Sequence, residues 1–163
     1  MKNHAETAVN LLKKNNLKIT TAESCTGGLI SKMITDVSGS SEVFDCGIVS
    51  YSNEIKMSVL GVKKETLEIY GAVSEQTVRE MSAGVLKISG ADVSVAVSGI
   101  AGPSSDSTNK PVGLVYIAVN YNNEITVKKL TNQFDVNIRE NNRNSAANEA
   151  LMLVCDILNN KAV

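Results

Sequence analysis

Ser24, Cys25 and Thr26 place two hydroxyls and a thiol side by side within the run Thr20-Thr21-Ala22-Glu23-Ser24-Cys25-Thr26-Gly27-Gly28. Leu17-Lys18-Ile19 before the run reads as the start of a strand, and Leu29 to Ile34 after it reads as a helix. A nucleophile at such a junction is chemically useful. Backbone N–H groups of a first helical turn lack partners inside the helix and can hold an anion or a developing oxyanion. The competing reading is a helix N-cap, for which Ser and Thr are favoured. The choice turns on a base. The one histidine is His4, near the N-terminus, so a Ser-His-Asp triad, a Cys-His dyad and H-E-x-x-H zinc chemistry all lack their histidine. Lysine is the natural remaining base for Ser24. Cys25, with no histidine to activate it, reads as a small packed side chain.

The elements that must position this turn follow from periodicity. Residues 2–15 carry Ala5, Ala8, Val9, Leu11 and Leu12 at helical spacing, and Asn15-Asn16 supplies a stop. Residues 17–22 form a strand, then come the Ser24 turn and a helix to Asp36. Residues 43–52 read as a second strand that emerges at Tyr51-Ser52, and Asn53 can cap a short helix containing Lys56. A further short helix over 63–70 stops at Gly71, and Ser74 opens a longer one that stops at Gly90. A buried strand over 92–98 leads into Gly99-Ile100-Ala101-Gly102-Pro103. After a polar loop over 104–110 come strands over 112–121 and 124–130, joined by Asn122-Asn123 as a hairpin. A terminal helix over 135–160 has Ala147, Ala150, Leu151, Val154 and Leu158 as its inner stripe, while its Asn-rich start must lean on tertiary contacts. Strands alternating with helices, then a hairpin and a closing helix, predict an α/β fold: a three-layer α/β/α sandwich around a mixed β-sheet. The Ser24 turn, the Tyr51-to-Lys56 segment and the Ser98-to-Pro103 turn all follow strands, so they can share the rim where such folds bind ligands.

Composition narrows the function classes. At 163 residues the chain is expected to form one domain over 1–163, with 43% hydrophobic and 20% charged residues as in a soluble protein. A formal net charge of −1 with scattered Lys and Arg offers no basic face for nucleic acid. No apolar run is long enough to span a bilayer, and no signal peptide is evident. Cys25, Cys46 and Cys155 show no C-x-x-C spacing, so they read as reduced thiols in a cytoplasmic protein.

Several segments in fixed order also resemble one family. Thr21 to Gly28, Tyr51-Ser52-Asn53-Glu54-Ile55-Lys56, Gly71-Ala72-Val73-Ser74-Glu75 and Ser98 to Pro103 are similar to the CinA C-terminal domain family. Lys110-Pro111-Val112-Gly113 and the stretch from Arg139 to Arg143 add to the likeness, which covers nearly the whole chain. The resemblance implies an amidohydrolase that converts nicotinamide mononucleotide to nicotinic acid mononucleotide and ammonia, in pyridine-nucleotide salvage. It implies Ser24 as nucleophile, Lys56 as base and Tyr51 as a group that orients Lys56 or relays a proton. It further implies substrate contacts from Thr26, Gly27, Gly28, Ser98, Gly99 and Gly102, with Arg139 and Arg143 pairing with the phosphate. The oxyanion would be held by N–H groups of the Ser24–Gly28 turn or of Gly99–Gly102. No metal or cofactor is called for, and a homodimer or larger assembly is expected, with no nucleic-acid or membrane partner. The alternative is a non-catalytic nucleotide-binding module with the same pocket. CinA is known as a competence-damage-inducible protein, and a DNA-associated factor, suggested by that label of the family alone, lacks the basic, aromatic-bearing face it would need. The chain departs from the family pattern at Ser104-Ser105-Asp106-Ser107-Thr108, where relatives carry a glycine-rich loop, and at Val136-Asn137-Ile138, where Gly-Asp is frequent.

Overall fold

The computed structural model describes residues 4–160. The chain begins with α1 (His4–Lys14), which buries Ala5, Ala8, Val9 and Leu12 and places Lys13 and Lys14 at its carbonyl end, where positive charge is favoured. It continues through β1 (Ile19–Glu23), α2 (Leu29–Thr35), a 3-10 turn (Ser40–Glu42), β2 (Phe44–Val49), α3 (Asn53–Ser58) and α4 (Lys64–Tyr70). Then come α5 (Glu75–Ser89), β3 (Val93–Gly99), β4 (Leu114–Tyr121), β5 (Glu124–Thr131) and α6 (Ile138–Asn160). Ser74 caps α5 by accepting from the Thr77 N–H at 3.2 Å, and Gly90 ends it at φ +68. Asn122 and Asn123 sit at φ +53 and +61, the left-handed pair that a tight two-residue hairpin needs.

The boundaries shift where local chemistry overrides periodicity. β2 stops at Val49, and the cap of α3 is Ser52 rather than Asn53, because Ser52 Oγ accepts from the Ile55 N–H at 3.2 Å. The last helix starts at Ile138 rather than 135, since Asn137 before it is left-handed at φ +46. Residues 2 and 3 of the expected first helix lie outside the described residues.

The five strands form one sheet in the order β2-β1-β3-β4-β5. β1 pairs in parallel with β2 and β3, and β4 runs antiparallel to both β3 and β5. One face is covered by α1, α2 and α6, which pack on Ile19, Val93, Val95, Val97, Val115, Ile117 and Val119. The other is covered by α5, whose Val78, Met81 and Val85 meet Ala22, Ala96 and Ala118. These three alanines lie in register across β1, β3 and β4. Small residues there let α5 approach the sheet closely, while the larger side chains of the opposite face fill the wider core.

This topology creates the site. The chain leaves β1 toward α2 on one face and leaves β2 toward α3, α4 and α5 on the other. Neighbouring parallel strands whose connections diverge open a crevice at their carboxyl ends. Ser24 and the segment leading to Lys56 border it.

Candidate active site

Lys56 is the largest fully buried side chain in the protein's described residues, 1% exposed. Ser52 caps α3, whose Lys56 is buried while Glu54 and Ile55 remain outside. Its Nζ lies 3.0 Å from Ser24 Oγ, 2.8 Å from the Ser50 carbonyl oxygen and 3.4 Å from that of Tyr51. Burial disfavours the ammonium and lowers the Lys56 pKa from 10.5 to about 8, with a small opposing effect of Cys25. Among the described residues no carboxylate pairs with it. In the neutral amine, two N–H bonds satisfy the two carbonyls and the lone pair is left to face the Ser24 hydroxyl. That is the geometry of a general base beside its nucleophile.

Cys25 takes the opposite role. Burial pushes its thiol up to about 12, so it stays protonated and unreactive. Cys25, Cys46 and Cys155 are all free thiols.

Glu23 decides where an oxyanion can sit. It is fully buried, yet its carboxylate accepts from the N–H of Gly28, Ile30 and Ser31 at 3.0, 3.0 and 2.8 Å and from Ser31 Oγ at 2.7 Å. The amino end of α2 is therefore occupied by the protein's own anion, and the expected anion site in that first helical turn is not open. The Gly27 N–H is also engaged, by the Ser24 carbonyl at 3.1 Å. Within the Ser24 turn only the Cys25 and Thr26 N–H groups make no hydrogen bond among the described residues, and only Cys25 of the two lines the cavity. Across the cavity, Ile100 N–H is taken by the Leu114 carbonyl, while those of Ala101 and Gly102 are unengaged among the described residues.

Ser24, Tyr51, Lys56, Ser98, Gly99, Gly102 and Arg139 line one cavity of about 260 Å³, together with Cys25, Asn53, Ala72, Val73 and the Ser104–Asp106 segment. Ser98 donates its hydroxyl to the Ala72 carbonyl at 2.8 Å and so shapes the wall. Tyr51 is 60% exposed and reaches Lys56 through its backbone carbonyl, while its phenol accepts from Arg139 Nη2 at 2.8 Å. Arg139 Nη1 donates to the Gly102 carbonyl at 3.0 Å, which leaves further donors of the guanidinium uncommitted. The fold does not bring Thr26, Gly27, Gly28 or Arg143 into the cavity lining. Thr26 is fully buried, and Arg143 is bound to the turn from behind, with Nε on the Cys25 carbonyl at 3.2 Å and Nη2 on the Thr26 carbonyl at 2.8 Å.

The same arginines explain the Asn-rich start of α6. Arg139, Asn142 and Arg143 share one helical face, and Asn142 Nδ2 donates to the Ala101 carbonyl at 3.0 Å. Poor helix propensity there is offset by contacts to the two turns that frame the cavity. A separate hollow of about 420 Å³ between α1 and α2, lined by Ala5, Glu6, Met33, Asp36, Val37 and Ser38, holds no buried base beside a nucleophile. Among the described residues no group of three or more His, Cys, Asp or Glu could hold a metal ion, and no helix is long and apolar enough to cross a membrane.

The family profile of the CinA C-terminal domain matches residues 1–158. The chain belongs to this family. It is 48% identical over 153 residues to a CinA-like protein of Kosmotoga olearia, a match covering 94% of this chain and 35% of that one. The chain thus spans about a third of the length of the curated relatives it matches. Crystal structures agree along the whole fold. A CinA superfamily protein from Klebsiella pneumoniae superposes with a TM-score of 0.93 at 33% identity, covering 98% of this chain and 99% of that one. The competence/damage inducible protein CihA from Agrobacterium tumefaciens gives 0.88 at 40% identity, covering 98% and 97%. The expected α/β architecture is that of the CinA superfamily.

Proposed function

We propose that this CinA domain is an amidohydrolase that removes ammonia from nicotinamide mononucleotide, leaving nicotinic acid mononucleotide for pyridine-nucleotide salvage. The reading is carried by one observation: a buried amine, held by two backbone carbonyls, 3.0 Å from the hydroxyl of a serine that lines the cavity. The family resemblance supplies the substrate, and the uncommitted donors of Arg139 at the cavity wall favour a ligand with an anionic phosphate.

In this reading neutral Lys56 takes the Ser24 proton as Oγ attacks the carboxamide carbon. The carbonyl oxygen becomes an oxyanion beside the Cys25 N–H or those of Ala101 and Gly102. Lys56 then returns its proton to the amide nitrogen, the C–N bond breaks, and ammonia leaves an ester on Ser24. Water, deprotonated by Lys56, attacks that ester. Lys56 returns the proton to the Ser24 oxygen as the C–O bond breaks, and the carboxylic acid product gives its remaining proton to the released ammonia or to solvent and departs as the carboxylate.

The deciding experiment is ammonia release from nicotinamide mononucleotide by the purified protein, beside folded Ser24→Ala and Lys56→Met variants. Turnover by the wild type, with a loss of about 100-fold or more in each variant, upholds the reading. A wild type that binds the nucleotide without turning it over assigns the domain instead to nucleotide binding.

A further inference from the structure

The segment between Gly102 and Lys110 is cavity wall to which the proposed chemistry gives no task. Its Ser104, Ser105 and Asp106 line the same cavity as Ser24 and Lys56. Both ends are tied down. Gly102 sits at φ +85, where a Cβ would come within 2.6 Å of Val112 Cγ1, and its carbonyl accepts from Arg139. At the far end Lys110 Nζ donates to the Tyr70 and Val73 carbonyls, each at 2.6 Å. Between these anchors Asp106 Oδ1 accepts from the Thr108 N–H at 2.9 Å and from the Thr108 hydroxyl. That Asx turn fixes the carboxylate and uses only one of its oxygens. Oδ2 makes no hydrogen bond or ion pair among the described residues.

A fixed carboxylate oxygen accepts hydrogen bonds and repels phosphate. Neither the Lys56 amine nor the Arg139 guanidinium makes a hydrogen bond or ion pair with it among the described residues. A phosphorylated ligand therefore places its phosphate at Arg139 and offers Asp106 something neutral with O–H donors. A ribose vicinal diol meets that description, and an O–H to carboxylate bond is among the stronger neutral-to-ion contacts. We propose that Asp106 is a specificity-determining residue that reads the ribose: Oδ2 accepts from the vicinal diol of a ribose phosphate whose phosphate is held by Arg139. The proposal rests on the functional reading only for the ligand being a ribose phosphate, and it is independent of amide hydrolysis.

The test is calorimetric binding of methyl ribofuranoside 5-phosphate and of its 2-deoxy counterpart to wild type, Asp106→Ala and Arg139→Gln. The wild type is expected to prefer the ribose by about tenfold or more, from one charge-assisted hydrogen bond. Asp106→Ala should bind both sugars alike. Arg139→Gln should weaken both equally and keep the preference. Equal binding of the two sugars by the wild type, a preference that survives Asp106→Ala, or tighter binding of both by that variant each overturns the proposal. A ribose preference without ammonia release would remove the deamidase reading and leave this one standing.

Discussion

Glu23 Oε1 accepts from both the N–H and the hydroxyl of Ser31, at 2.8 and 2.7 Å, and so pins the residue before the nucleophile to the first turn of α2. The second carboxylate oxygen takes the Gly28 and Ile30 N–H groups. A buried anion of this kind is stable because four donors and the positive end of a helix surround it. Its consequence is functional. The turn that presents Ser24 is held from below, and negative charge developing on a substrate must be met by N–H groups outside α2.

Glu23→Gln keeps the shape but turns an NH2 toward backbone donors. Urea unfolding should show a loss of roughly 2–4 kcal/mol, the scale of buried charged hydrogen bonds left unmade. A loss under about 0.5 kcal/mol, the level of an ordinary surface substitution, would mean that the carboxylate is not the keystone of the turn.

The lowered Lys56 pKa sets a pH profile. If the neutral amine is the base, kcat/KM rises with pH and levels off above about 8. Lys56→Arg, which stays protonated, should be inactive across the range. A flat profile from pH 6 to 9 would remove Lys56 as the base.

The same residue costs stability, and the sign can be worked out. Its folded pKa of about 8 lies below the ordinary 10.5, so between these values the unfolded chain binds more protons than the folded one. Stability therefore rises with pH across that window and the contribution is flat on either side. Relative to Lys56→Met, whose side chain cannot titrate, the wild type should gain roughly 3 kcal/mol between pH 7 and pH 10.5. Chemical denaturation of both proteins at the two pH values measures it, and an unchanged gap would contradict the shift.

The two arginines of α6 should separate kinetically. Arg143 grips the Cys25 and Thr26 carbonyls from behind the turn, so Arg143→Gln should lower kcat, on the order of 100-fold, and spare KM. Guanidinium ion added to the assay should restore part of the lost rate. Arg139 borders the cavity, so Arg139→Gln should raise KM by about tenfold or more. A phosphate role for Arg143 would show itself as the reverse pattern.

The sequence by itself determined the elements and the chemical candidates. The stripe of α6, the Ser74 cap, the Asn122-Asn123 turn and the alternation of strands and helices are local patterns, and local patterns are legible because they repeat at fixed periods. With only His4 to supply an imidazole, lysine was left as the natural partner for Ser24. What the tertiary structure decided is what burial and backbone direction decide. Ser50 and Tyr51 orient Lys56 through main-chain carbonyls, which any residue type would supply, so no sequence signal marks them. Glu23 reads as an ordinary charged residue until the fold encloses it against α2. Arg139 and Arg143 stand four residues apart on one helix, with the same guanidinium and the same local setting. Only the packing of α6 against the two turns sends one to the cavity wall and the other to the back of the nucleophile turn, because contacts between residues 88 to 118 positions apart are fixed by the sheet and not by the neighbours in the chain.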